Sequence, residues 1–217
     1  YRNLLNFARD NKIPIVGLNV PKTLRRQVSM TKLEELDEDT RARLPEMDFN
    51  DNYQKAMATA IFADHGNSQK MLDSFLRVQT LWDESMAESI VRHLQDKGPD
   101  QRMVVIAGGN HVRYGFGIPR RVYRRMPTSY VLVGIKELVV PEEKKGKLMN
   151  VVMPEFPMVP YDYVTYTEYE TLPGERVKLG VRFKEADGRI MVEAVVPGSA
   201  ADKAGIKEKD YIEFFDN

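Results

Sequence analysis

MVVIAGGNHVRYGFGIPRR, residues Met103 to Arg121, passes from an unbroken apolar run into a loop crowded with chemistry. Met103 to Ala107 is apolar and β-branched without polar alternation, the pattern of a strand buried on both faces. Gly108 and Gly109 end it, free to take positive φ or to let another group come close. Asn110 and His111 follow, so polar groups arrive at the C-terminal end of a buried strand, where open α/β sheets hold their ligands. Gly115 and Gly117 keep the loop compact, and Pro119 suits the first turn of a helix. Arg120, Arg121, Arg124 and Arg125 add cations beside it. Gly-Gly after a strand also serves as a tight turn, and a lone histidine as a structural hydrogen-bonding residue. An imidazole, a carboxamide, the Tyr114 phenol and several arginines in one short stretch favour a binding or catalytic loop.

The flanking sequence repeats the pattern on a smaller scale. Tyr1 to Asn11 has a helical apolar face, and Ile13 to Leu18 reads as a short buried strand with Pro14 near its start. Asn19 then stands at a strand end as His111 does, before Pro21, where it serves equally as a helix cap or a site residue. Thr31 to Asp51 is charged and predicts short helices over the site. Asp51 to Asp64 reads as a helix stopped near Gly66, with His65 at its C-terminal end, where the helix dipole favours a cation.

The longest helical period runs from Asn67 to Lys97. Its stripe of Leu72, Phe75, Leu76, Trp82, Met86, Ile90 and Leu94 is core, but Gln79 and Asp83 lie one turn apart on or beside it. Polar groups on an apolar face need partners, so the two are either a satisfied pair or the lining of a cavity. His93, near the charged end, reads as a surface residue. Tyr130 to Gly134 and Tyr163 to Thr167 predict further strands. Alternating strands and helices indicate an α/β domain, a layered sheet with packed helices, over residues 1 to 170. A composition shift near Thr171 to Gly174 opens a small β-rich segment, 171 to 217, with a hairpin turn at Asp187-Gly188.

The 217 residues carry 32 Lys plus Arg against 32 Asp plus Glu, so no overall field draws nucleic acid or an anionic membrane. There is no cysteine, which excludes disulfides and thiolate metal sites. No apolar run reaches the length of a membrane span. Tyr1 falls inside an apparent helix and Asn217 just after a strand-like run, so the expectation is a piece cut at both ends, with any anchor upstream.

The last segment resembles a PDZ domain. Lys178-Leu179-Gly180-Val181 looks like the carboxylate-binding loop of that family, and PGSAADKAGIKEKDYI, Pro197 to Ile212, resembles its second signature, with Lys209 where glycine is usual. The resemblance implies that N–H groups around Leu179, Gly180 and Val181 take a peptide C-terminus, and that the peptide adds a strand to the sheet edge. A further helix walling the groove is expected beyond Asn217.

Residues 1 to 167 resemble the ChaN-like haem-binding uptake family, related to the Tiki and erythromycin-esterase group. The matching pieces are IPIVGLNVP (Ile13 to Pro21), the Tyr53 and His65 segment, Gln79 with Trp82-Asp83 and Met86-Ala87, and GGNHVRYGFGIPRR (Gly108 to Arg121). The resemblance implies a bacterial protein of the periplasm or outer membrane, often lipid-anchored, whose pocket between helices and sheet holds haem. It also implies an upstream strand bearing a Gly-Glu-x-His type motif.

On this reading the iron donor is His111, Tyr114 or His65, in that order, with His111 and Tyr114 the metal ligands. Arg120 and Arg121 pair with propionates, and Asn110, Gln79, Asp83 and Asn19 complete the haem site. A homodimer is compatible with such a carrier. The second reading is a hydrolase, metal-dependent or metal-free, with His111 as ligand of a divalent metal ion or as general base.

Overall fold

A helix of 29 residues, Gln69–Lys97 (α5), is the spine of the larger unit. Its middle is buried on several sides, through Val78, Gln79, Thr80, Leu81, Asp83, Glu84, Met86 and Ala87, because shorter helices pack around it. Gly98 ends it with φ +95°, donating its N–H to Leu94 O, a left-handed stop that glycine takes without a Cβ clash. The computed structural model describes residues 1–63, 68–98, 100–139, 142, 151–168, 179–186 and 189–212. Two compact units divide the chain, Tyr1–Tyr169 and Glu170–Asn217.

In the first unit, α1 (Arg2–Asp10), α2 (Lys22–Met30), α3 (Glu38–Ala42) and α4 (Asn52–Phe62) precede α5, and α6 (Gly109–Val112) and α7 (Ile118–Arg125) follow it. Two helices carry carboxylate caps: Asp37 accepts the Thr40 N–H of α3, and Asp51 accepts those of Tyr53 and Gln54 in α4. Three apolar clusters hold the helices. Met86, Ala87, Ile90 and Val91 of α5 meet Ile118 and Val122 of α7. Leu24 and Val28 of α2 meet Leu36 and Leu81. Met57 and Ile61 of α4 meet Phe116, with Phe75, Tyr114 and Phe156 packed alongside. No described helix is long and apolar enough to cross a membrane.

The sheet is where sequence and structure part. Strands β1 (Val133–Glu137) and β2 (Tyr163–Thr167) pair in parallel, Val133 opposite Tyr163, so β1 begins three residues later than the apolar run Tyr130 to Gly134 suggests. Met103 to Ala107 and Ile13 to Leu18 are not strands; they run without a ladder. Neither is buried on both faces. Met103, Val105 and Ala107 pack on the α5–α7 cluster, whereas Val104 is 89% exposed. Val16 and Leu18 are likewise half-buried, with Ile15 turned outward. An apolar run thus marks a segment suited to a sheet, but a strand exists only where neighbours complete its hydrogen bonds.

The described residues of the second unit form a three-stranded antiparallel sheet, β3 (Val181–Ala186), β4 (Arg189–Val195) and β5 (Tyr211–Ile212), with the short helix α8 (Ala200–Lys203). Ser199 caps α8 through the Asp202 N–H. The hairpin turn expected at Asp187-Gly188 lies outside the described residues. Gly180 has φ +78°, and a Cβ there would lie 2.1 Å from Ser199 Cβ. Lys209 is a non-glycine residue at φ +75°. Left-handed backbone costs an L-residue roughly 1–2 kcal/mol, offset in part by the greater chain entropy of glycine. Lys209→Gly is therefore expected to stabilise this unit by up to about 1 kcal/mol, read from urea unfolding. A destabilised variant would show that the lysine side chain, not the backbone, matters there.

Candidate functional site

Asp83 and Glu84 are adjacent on α5, fully buried, and serve two different networks. Asp83 faces the loop after Ala107. Gly108 leads into the single turn of α6, which lifts His111 toward α5; His111 N–H bonds Gly108 O at 2.9 Å. His111 Nδ1 then lies 2.6 Å from Asp83 Oδ1. Gln54 of α4 donates from Nε2 to Asp83 Oδ2 at 2.6 Å, and Gln79 Nε2 sits 3.4 Å from the same oxygen and 3.1 Å from His111 Nδ1. The Trp82 ring meets the imidazole edge-on at 5.9 Å, and the Arg25 guanidinium lies 6.0 Å from the Trp82 ring centre.

Burial pushes the Asp83 carboxyl above its ordinary range, opposed first by the hydrogen bond and charge of His111 and then by Arg121 and Gln79. The carboxylate is thus held by its donors in a place that would otherwise reject it.

Glu84 faces the other way, into α7. Its carboxylate lies 3.1 Å from Arg124 Nη2 and 2.6 Å from Arg125 Nη1, and it accepts the Asp48 N–H at 2.9 Å. Arg121 Nε stands 3.0 Å from Glu84 Oε1, an ion pair out of line for a hydrogen bond. The other N–H groups of Arg121 reach Phe116 O at 2.9 Å, Gly117 O and Asp48 O at 3.3 Å, and Gln54 Oε1. Gln54 therefore joins the two networks.

Around these groups the loop takes an unusual path. Neither Gly108, with φ −59°, nor the helical Gly109 uses positive φ, contrary to the expectation; Tyr114 at φ +58° and Gly115 at φ +73° do. Gly117 is needed for space, because a Cβ there would lie 2.3 Å from His111 O, a backbone atom that cannot swing away. Gly117→Ala is expected to cost about 1–3 kcal/mol in unfolding measurements, as overpacking does, and to displace His111. A variant of unchanged stability and unchanged His111 resonances would refute that contact.

The residues singled out from the sequence thus separate. Gln79, Asp83 and His111 come together from positions up to 32 apart in the chain. Asn110 is half-buried beside His111 on α6. Tyr114 turns elsewhere, stacking on Phe116 at 5.3 Å and edge-on to Phe156 at 4.9 Å. Arg120 is 54% exposed, 3.3 Å from Asp51. Arg121 is 2% exposed and occupied internally, so the expected pairing with an outside carboxylate is corrected: its donors are spent on Gln54, Glu84 and three carbonyls. Asn19 is exposed and accepts the N–H of Val20 at 2.8 Å. His65 lies outside the described residues. Two contributors, Gln54 and Glu84, are not picked out in the sequence, whereas Arg25 stands after Asn19, one turn on from Pro21. Gln54 stands in register with Met57, Ala58 and Ile61 on the buried side of α4, a polar residue within an apolar stripe, which is the signal that marks it. Glu84 carries no comparable local signal.

The arrangement can do one thing in particular. Nδ1 faces a buried carboxylate, which leaves Nε2, without a hydrogen-bond partner among the described residues, as the ring atom to offer a lone pair or take a proton. The His111 side chain is 20% exposed, so that atom is within reach of a ligand. Among the described residues no group of three or more His, Cys, Asp or Glu could hold a metal ion.

In the second unit a cavity of about 420 Å³ is lined by Leu179, Gly180, Val181, Phe183 and Val195.

No solved structure matches the chain. Protein RETICULATA-RELATED 5, chloroplastic, of Arabidopsis thaliana is 26% identical over 145 residues, covering 61% of this chain and 20% of the plant protein. The chain thus spans about a fifth of that relative's length. Residues 1–122, more than half of the chain, match the family model described as haem-binding uptake, Tiki superfamily, ChaN, and this span contains α1 to α6, most of α7 and the whole Asp83–His111 pair. The chain belongs to the ChaN-like haem-binding uptake family of the Tiki superfamily.

Proposed function

We propose that the protein binds haem, with His111 Nε2 as the donor to iron. The observation that carries this reading is the Asp83–His111 contact of 2.6 Å: a buried carboxylate behind an imidazole is the arrangement that orients metal-ligating histidines and raises their basicity. The donor set fits the group: His111 would give the iron an imidazole nitrogen, a common protein donor to haem, and the iron would supply the redox or ligand chemistry. This chain's part is to fix the imidazole through Asp83, to cover apolar surface with Trp82, and to meet propionates with the cations that remain available. Two such cations are Arg120, at the surface, and Arg25, over the Trp82 face. Tyr114 is the second candidate donor, and Tyr114→Phe serves as the comparison variant.

Titration of the protein with haem, followed by absorbance in the Soret region, tests this. Saturation at one haem per chain, lost in His111→Ala and kept in Tyr114→Phe, is the expected result. A spectrum equal to that of haem in buffer excludes the reading.

The same pair suits a general base, which keeps a hydrolase as the second reading. Ester or peptide hydrolysis that disappears in His111→Ala, without any haem spectrum, would favour it. For the second unit the reading is a peptide C-terminus bound beside Leu179, Gly180 and Val181, supported by the cavity and by the positive φ of Gly180. The compartment is proposed from kinship alone: a bacterial envelope by the family resemblance, a plastid by the plant relative's name. Fractionation of the native protein decides between them.

A further inference from the structure

We infer that Gln54 is a positioning residue that sets which ring nitrogen of His111 carries its proton. Donors and acceptors are dictated inward from the arginine cluster. A guanidinium has N–H donors and no acceptor. Arg121 is buried, anchored by Glu84 and by the carbonyls of Phe116, Gly117 and Asp48, and it turns Nη2 to Gln54. Only the oxygen of the Gln54 amide can meet it.

The orientation of a side-chain amide is ordinarily a choice between two similar fits; here Arg121 dictates it. With Oε1 turned to Arg121, the Gln54 NH₂ group faces Asp83 and donates to Oδ2 at 2.6 Å. The Gln79 amide lies 3.4 Å from that oxygen and 3.1 Å from His111 Nδ1 through the same atom, so it turns its oxygen to the ring when Nδ1 carries the proton. Asp83 is thereby built as an acceptor. His111 Nδ1, 2.6 Å from Oδ1, is the donor of that pair, and Nε2 keeps the lone pair. Among the described residues no arginine pins Gln79, so its amide is free to follow the histidine rather than to set it.

The placement explains why an amide occupies an apolar helix face. Gln54 is 5% exposed and one helical turn from Met57, where an apolar side chain would pack as well but transmit nothing.

This deepens the proposed site, since it names the atom offered to iron, but it is tested without haem. The ¹⁵N–¹H long-range correlation spectrum of the histidines in the haem-free protein, recorded on the alkaline side of imidazole titration, reports the tautomer of each ring. The expected spectrum has His111 protonated on Nδ1 and bare on Nε2. In Gln54→Met, which keeps length but has no amide, the tautomers should mix. In Gln79→Leu the wild-type pattern should persist. If Gln54→Met does not fold, Gln54→Asn, too short to span Arg121 and Asp83, takes its place. The inference is overturned by an Nε2–H tautomer in the wild type, by an unchanged pattern in the Gln54 variant, or by equal mixing in Gln79→Leu. A clean tautomer shift with no haem binding would sink the haem reading and leave this one standing.

Discussion

Glu84→Ala is expected to destabilise the first unit by about 3–5 kcal/mol. Glu84 is fully buried and faces three guanidiniums, Arg121, Arg124 and Arg125, besides accepting the Asp48 N–H. Removing one partner of a buried ion cluster leaves uncompensated charge in a place that water does not reach. Arg121 suffers most, since it has no route to solvent. The damage spreads to the site, because Arg121 holds Gln54 and Gln54 holds Asp83. Urea unfolding of wild type and variant measures the loss. Glu84→Gln, which keeps the shape and one acceptor, should lose less. A loss below about 1 kcal/mol in Glu84→Ala would mean that the cluster is hydrated and that the burial argument fails.

His111→Ala should abolish saturable haem binding while leaving the fold in place, since the ring is partly exposed and caps no helix. Asp83→Asn is the subtler variant. The imidazole stays, but an amide replaces the carboxylate that orients it, and loss of such an outer partner typically weakens metal affinity about 10–100-fold. The two variants separate donor from support: His111→Ala removes the ligand outright, and Asp83→Asn gives a spectrum that saturates at higher haem concentration. Equal affinity in wild type and Asp83→Asn would show that the carboxylate has only a structural role.

Much of the site is legible in the sequence for a simple reason. Gln79 and Asp83 interrupt an apolar stripe, and a polar group on a buried face must find a partner; the glycine-rich loop ending in His111 supplies it. The same logic applies to Gln54 on α4. Glu84 and Arg121 are harder, since a run of arginines after Pro119 reads as cations offered beside the loop. Only the tertiary arrangement shows Arg121 turned inward while its neighbour Arg120 stays out. Tyr114 misleads for another reason: a phenol in a loop can ligate or pack, and aromatic neighbours distant in sequence, above all Phe156, draw it into packing. The sheet is the least legible part. Met103 to Ala107 and Tyr163 to Thr167 have comparable β character, yet only the second is paired, because pairing depends on a neighbour that local sequence does not name.

Whether His111 gives iron its protein donor is decided by resonance Raman spectroscopy of the ferrous haem complex. An iron–histidine stretching band that shifts when the protein's histidines carry ¹⁵N, and that is missing in His111→Ala, is the predicted result. A haem complex whose band pattern is the same in wild type and His111→Ala would contradict it, and would move the donor to another residue.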